Sequence, residues 1–250
     1  DAASVFSVLR SKKLNLRYGT ASILELESGS NDPWAYMLTV IILSIMKGGA
    51  TASGFVLSLL SQVFFGVGFG ALISLGAVYL IKRVRFDAAG FDAIFVTAIA
   101  MLSYALPSAL GGNGYLSCYI VGIVLGNTKI SGKTALVHFF DGITSFSQIL
   151  IFFLLGLLSF PSHLPQIILP AAAILLFLTL IARPLSVLAI MTPFKAPVKQ
   201  QLLIAWAGLR GATSIVFAIM ATVGDTYIEN DVFHIVFCIV LISIGVQGTL

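Results

Sequence analysis

The chain has 250 residues, 58% of them hydrophobic and 10% charged, with a formal net charge of +4 and a mean hydropathy of +1.05. This composition excludes an ordinary water-soluble domain and a disordered chain, and it points to a polytopic membrane protein. The small positive charge follows the loops and gives no reason to expect nucleic-acid binding.

A spanning helix takes about 20 mostly apolar residues. With that length as the ruler, the chain divides into 1–10, 19–46, 55–81, 92–110, 114–127, 139–160, 166–192, 200–223 and 232–250, the first and last partial. The runs are too long and too uniformly apolar for barrel strands, so the expected fold is an all-α bundle. The chain opens on Asp1 and ends in GVQGTL, and no signal peptide precedes the first segment. We therefore expect residues 1–250 to be the C-terminal portion of a transmembrane domain, with further helices upstream and any cytosolic regulatory domain after Leu250. The glycine series GVGFG (66–70) is expected to pack helix on helix, and GGNG (111–114) to form a loop. Cys118 and Cys238 lie in apolar runs without metal-ligand spacing and read as small buried hydrophobes.

Loop charges give the orientation. If the loop after the first segment is cytoplasmic, that side carries Arg10, Lys12, Lys13, Arg17, Lys82, Arg83, Arg85, Lys129, Lys133, Lys195 and Lys199. The opposite loops carry only Lys47 among basic residues, and Asp225, Glu229 and Asp231 fall there. This is the positive-inside pattern. Two basic residues, Arg183 and Arg210, fall inside apolar segments.

Ionisable groups within a membrane are costly and face a cavity or a partner. At about 1.5 Å of rise per residue, Asp1 lies roughly 14 Å from the cytoplasmic face, Glu27 about 11 Å, Asp32 about 18 Å and Arg210 about 14 Å, all in one central slab. In ESGSNDP (27–33), Glu27 and Asn31 are four apart, as are Ser28 and Asp32, so each pair stacks on one helix face. Asp32 with Ser28 offers hard oxygen ligands suited to an alkali cation or a proton. Pro33 removes a backbone donor and is expected to loosen the helix beside Asp32. In GLRGA (208–212), glycines flank Arg210 and allow close helix approach or a break. Arg210 is the expected partner of Glu27. Arg183, followed by Pro184, either snorkels to the cytoplasmic edge or serves as a further site residue. Glu25 points to a different face from Glu27 and reads either as peripheral or, with Arg183, as a secondary candidate for the site. Asp141 is expected to begin a helix as a cap. His138, His163 and His234 show no ligand spacing.

ESGSNDP, the opening DAA leading into SVFSVLR, GLRGA, and FDG at 140–142 together resemble the NhaP branch of the monovalent cation:proton antiporters, the bacterial potassium/proton antiporters in particular. The likeness covers essentially the whole chain. It implies a partial sodium/proton-antiporter fold with inverted repeats and broken crossing helices. It implies an ion and proton site at Asp1, Asn31 and Asp32, with Ser28 as a further cation ligand, and a structural ion pair between Glu27 and Arg210. It also implies a multi-pass protein of the cytoplasmic membrane, a homodimer through helices outside this chain, and no cofactor beyond the transported K+ or Na+ and H+.

Residues and resemblance suggest one mechanism. Burial favours the neutral acid, a bound cation favours the carboxylate, and the two ions therefore compete for one aspartate. Asn31 in place of a second acid leaves a single titrating group in the pair, which makes electroneutral exchange the expectation. Two alternatives are an intramembrane aspartyl protease, whose Gly-x-Gly-Asp setting is absent, and a cation channel, for which no filter sequence is evident.

Overall fold

The computed structural model describes residues 16–48, 52–83, 90–130, 132–223 and 231–248, and among these no strand occurs. The helices in chain order are α1 Thr20–Met46, α2 Ala52–Arg83, α3 Phe91–Ala109, α4 Gly114–Asn127, α5 Lys133–Leu158, α6 Leu164–Phe177, α7 Arg183–Met191, α8 Val198–Trp206, α9 Ala212–Val223 and α10 Val232–Gln247. Helices occur within each of the expected segments except 1–10, which lies outside the described residues. Four uninterrupted stretches, Ser53–Arg83, Phe91–Ala109, Lys133–Leu158 and Pro161–Met191, are long and apolar enough to cross a membrane. The chain is an all-α, multi-pass membrane protein.

Two compact units divide it, one of residues 1–29 and 146–250, the other of residues 30–145. In the second unit α2, α3 and α4 pack together around Ala77, Ile99, Val121 and Leu125. The glycine series on α2 is what lets α4 approach. A β-carbon on Gly66 would stand 3.0 Å from the Asn113 carbonyl, and one on Gly70 3.0 Å from Ile120 Cβ, so only hydrogen fits without displacement. The α3–α4 loop closes as tightly, since a β-carbon on Gly112 would lie 2.5 Å from Phe65 Cβ.

Proline behaves differently at 33 from what its chemistry alone suggests. Helix α1 runs through Pro33 without interruption. The Pro33 carbonyl accepts a hydrogen bond from the Asn113 side-chain amide at 2.8 Å. Tertiary support of that kind is what allows a transmembrane helix to keep an internal proline.

In the first unit, α9 and α10 pack with the end of α5 around Leu155, Ile215, Phe237 and Val240. A second cluster joins α6 to α10 through Ala171, Leu175, Cys238 and Ile239. Cys238 is buried and free, as expected of a small hydrophobe, and Cys118 in the other unit is also free. Two irregularities shape this unit. Residues Leu178–Ala182 form a π-turn joining α6 to α7, in which the Arg183 N–H reaches back to the Leu178 carbonyl. Pro184 follows and has no N–H to give, so the widened turn comes where the regular ladder fails. The stretch expected as one helix over 200–223 is two, since α8 ends at Trp206, α9 begins at Ala212, and the residues between them are not helical. Asp141, expected to cap a helix, lies inside α5, which begins earlier, at Lys133.

Candidate functional site

An interruption inside an apolar span exposes backbone groups that lipid cannot satisfy. Side chains from neighbouring helices take them up. The Ile204 carbonyl, near the end of α8, accepts from Arg183 Nε at 3.3 Å and Nη2 at 3.1 Å. The Trp206 carbonyl accepts from Gln247 Nε2 at 3.3 Å. The Arg210 N–H donates to Ser243 Oγ at 3.2 Å, and Ser243 in turn donates to Gln247 Oε1 at 2.6 Å. A guanidinium at a helix C-terminus also meets the negative end of the helix dipole.

The same guanidinium grips Glu27. Arg183 Nη1 donates to Oε1 at 3.0 Å and Nη2 to Oε2 at 3.1 Å, a two-pronged pair of planar groups. Of the two readings of Arg183, the side chain takes the inward one rather than snorkelling, and the bidentate partner of Glu27 is Arg183 where Arg210 was expected. Arg210 lies close enough to feel both charges, repelled by Arg183 and attracted by Glu27. Its Nε is buried without a hydrogen-bond partner. Gly208 makes the arrangement possible, because a β-carbon there would fall 2.2 Å from Arg183 Nε and 2.4 Å from Cδ. Leu24 on α1 and Ile204 on α8 pack beside the pair with Val187, Met191 and Leu209. Ser28, one turn after Leu24, is buried at 2% exposure, whereas Glu25 is exposed.

Asp32 and Asn31 belong to the other unit. Asp32 is partly buried and within electrostatic reach of Tyr115. The Tyr115 ring stands between Tyr36 and Tyr104, with centroids 4.9 Å and 5.3 Å away. Asn31 Oδ1 is buried without a hydrogen-bond partner. Asn113 fixes this neighbourhood. It is wholly buried, caps α4 by accepting from the Leu116 N–H at 3.0 Å, and holds Pro33 with its amide. Asp1 lies outside the described residues.

None of Asn113, the three tyrosines, Ser243 and Gln247 was picked out from the sequence. Only Asn113 carried a local signal, an Asn just ahead of an apolar run, which is the mark of a helix N-cap.

The amino-acid pattern and this geometry can be set beside known proteins. The model of the transmembrane sodium/hydrogen exchanger family matches residues 1–250. The chain belongs to the sodium/hydrogen exchanger family. It is 38% identical over 251 residues to the K(+)/H(+) antiporter NhaP of Alkalimonas amylolytica, covering 99% of this chain and 43% of that protein. It is 39% identical over 254 residues to the K(+)/H(+) antiporter NhaP2 of Shewanella oneidensis, with the same 99% and 43% coverage. It is 28% identical over 270 residues to the low-affinity Na(+)/H(+) antiporter NhaS1 of Synechocystis, covering 99% and 49%. This exchanger-family chain thus spans less than half the length of these curated relatives.

A second cluster lies at the start of α10. His163 Nδ1 is 3.3 Å from Asp231 Oδ2, and His234 Nδ1 is in close contact with the same oxygen. Histidines without ligand spacing in the sequence therefore do converge. His234 Nε2 accepts the Phe160 N–H at 2.9 Å, which leaves the ring proton on Nδ1, toward Asp231. A metal at that Nδ1 would need the proton gone and would turn Nε2 into a donor facing another donor, so the trio fits a hydrogen-bonded clasp rather than a metal centre. Burial works to raise the Asp231 carboxyl, but hydrogen bonds from the His234 ring and backbone and from His163 outweigh it and hold the acid below its ordinary range.

Three outcomes follow. In the detergent-solubilised full-length protein, Glu27→Gln and Arg183→Gln should each lower thermal stability, and a double-mutant cycle should give a coupling of about 1–3 kcal/mol. The matching cycle of Glu27 with Arg210→Gln should give less. Gly208→Ala should cost about 1–3 kcal/mol by overpacking against Arg183, read as a lowered melting temperature. A carboxyl with a depressed folded-state pKa stabilises above its ordinary pKa and loses that contribution as pH falls through the depressed value. Asp231→Asn should therefore melt earlier than the parent at neutral pH, and the gap should close on acidification below about pH 4.

Proposed function

We propose that this chain supplies the ion-handling half of a secondary transporter that exchanges a monovalent cation, K+ or Na+, for H+ across the bacterial cytoplasmic membrane. The observation that carries the reading is Asp32, an acid held partly buried within the long helix α1, next to a buried amide oxygen that has no hydrogen-bond partner. Membership of the sodium/hydrogen exchanger family and the printed activities of the relatives support it.

The proposed ligands are Asp32, the Asn31 amide oxygen, the Ser28 hydroxyl one turn earlier on α1, and Asp1. Hard oxygen donors of this kind suit an alkali ion or a proton and discriminate weakly between K+ and Na+ by chemistry alone. A carboxylate in low dielectric must be neutralised, and either ion serves. Cation and proton therefore exclude one another, and a carrier that changes access only when neutral couples their opposite flows. With asparagine rather than a second acid at 31, one charge titrates in the pair, which gives one proton per cation and no net charge moved. Glu27 and Arg183 form the structural pair that stabilises this region, with Arg210 as an additional fixed positive charge nearby. A homodimer through helices outside this chain, and regulation by a further cytosolic segment, belong to the same proposal. No cofactor is required, because the driving force is the opposing ion gradient. The aspartyl-protease alternative has no support in the family assignment, and a channel would leave proton and cation flow uncoupled.

In proteoliposomes containing the full-length protein, Asp32→Asn should abolish cation-dependent proton movement reported by a pH-sensitive dye. Arg183→Lys should retain exchange at reduced protein yield. Undiminished exchange in Asp32→Asn would refute the assignment.

A further inference from the structure

We propose that Asn113 is a positioning residue for the cation site: from the start of α4 it reaches across to α1 and fixes the turn that carries Asp32. The proposal rests on the exchange reading above and adds to it a residue that acts through the backbone of α1 rather than on the ion.

Pro33 makes such a support necessary. A proline inside a helix has no N–H to give the preceding turn, and its ring crowds that turn, so the helix beside it is prone to bend. Asp32 is the residue just before it. Helix α1 nevertheless runs on unbroken, Pro33 is buried, and its carbonyl accepts the Asn113 amide at 2.8 Å. A bend of α1 at this point would move the Asp32 carboxyl away from any ligand on another element. Binding sites hold their groups within about 0.5 Å of the productive geometry, so a small bend is enough to weaken one.

Asn113 is itself held from several sides. It is wholly buried, and its Oδ1 accepts the Leu116 N–H at 3.0 Å, which leaves Nδ2 as the end turned to Pro33. Its backbone N–H donates to the Gln62 carbonyl at 3.2 Å, and its own carbonyl accepts the Ser117 N–H at 3.2 Å. The glycines on either side leave no slack. A β-carbon on Gly112 would stand 2.5 Å from Phe65 Cβ, and one on Gly114 2.4 Å from Ser108 Oγ and 2.5 Å from the Tyr104 carbonyl. The two ends of the carboxamide thus have separate tasks, the cap of α4 on one side and the support of α1 on the other.

Depth gives the bond its weight. Helix α4 has 14 residues, about 21 Å of rise against a hydrocarbon core of about 30 Å. Lys129 marks its cytoplasmic end by the loop charges, so its first turn lies inside the membrane, near the depth counted for Asp32. Tyr115, in that turn, is within electrostatic reach of Asp32, an independent sign of the same juxtaposition. Water is scarce there, and a lost hydrogen bond has no ready replacement.

The test uses the full-length protein in proteoliposomes, titrated with K+ and with Na+. Asn113→Ser keeps an oxygen to cap α4, but its hydroxyl stops one bond short of the carboxamide nitrogen, so the tie to α1 alone is lost. It should raise the apparent KM for both cations about three- to tenfold, the size of one hydrogen bond, and change the maximal rate by less than about twofold. Asn113→Thr should behave alike and serves if the serine variant does not fold. Pro33→Ala returns an N–H to α1 and makes the helix self-supporting, so in that background Asn113→Ser should shift the KM by less than about twofold. A KM unchanged in both Asn113 variants, an effect confined to melting temperature or yield, or a KM shift undiminished by Pro33→Ala would overturn the positioning role. Loss of exchange in Asp32→Asn together with any of those results removes this inference alone. Retained exchange in Asp32→Asn removes the reading on which it rests.

Discussion

An arginine inside a membrane-spanning stretch has to be matched or expelled, and the first unit is organised by how Arg183 is matched. Its guanidinium gives two bonds to the Glu27 carboxylate and shares the Ile204 carbonyl through two nitrogens. Removing either charge leaves the other without its partner, at a cost below the roughly 3–5 kcal/mol of a fully buried pair because the Glu27 side chain is 36% exposed. The pair is weak evidence of net stability, and its visible consequence is positional. What it specifies is the end of α8: a helix can stop in the middle of an apolar span because a cation caps its carbonyl. The interruption at 207–211 is held by Arg183 on one side and by Ser243 and Gln247 on the other. Gly208 supplies the space in which the guanidinium lies. Two glycines and an arginine in GLRGA look like a motif centred on the arginine, yet the first glycine serves a different arginine from another helix.

This assignment divides the acids of α1 by task. Glu27 is matched by fixed positive charge and its protonation state is set by that match. Asp32 lies five residues further on, which turns it about 140° around the helix from Glu27, and it is within electrostatic reach of Tyr115. A permanently paired acid is a poor exchanger, because a proton or alkali ion would have to displace an arginine. Glu27 is therefore placed by its geometry as a structural acid, and the exchange proposed above is assigned to Asp32.

Much of this was legible in the sequence. Apolar run lengths gave the helices, loop lysines and arginines gave an orientation, and ESGSNDP singled out the polar helix. The pairing of Glu27 was not legible, for a definable reason. Counting residues from the membrane face yields depth but no azimuth, and a π-turn beside Pro184 changes azimuth in a way that no heptad or 3.6-residue count records. Asn113 looked like part of a glycine loop; its capping bond is local and recoverable, but its bond to Pro33 spans 80 residues and leaves no trace in either segment. His163 and Asp231 are 68 residues apart, and only the fold brings them together. The interruption between α8 and α9 was half visible: paired glycines permitted it, but its supports sit on α7 and α10.

Among its described residues the second unit leaves three buried side-chain oxygens, on Asn31, Gln62 and Ser117, without a hydrogen-bond partner. In a static core each such atom would be a defect worth about 1–3 kcal/mol. The same unit spends its other polar groups carefully: Asn113 alone serves two partners with its side chain and a third with its backbone. The bond from Asn113 to the Pro33 carbonyl spans 80 residues. Two of the three bare oxygens, the amide oxygens of Asn31 and Gln62, can only accept, whereas the Ser117 hydroxyl can also donate. Against pairing this thorough, each bare buried oxygen is a cost to the resting fold that the packing around it does not offset.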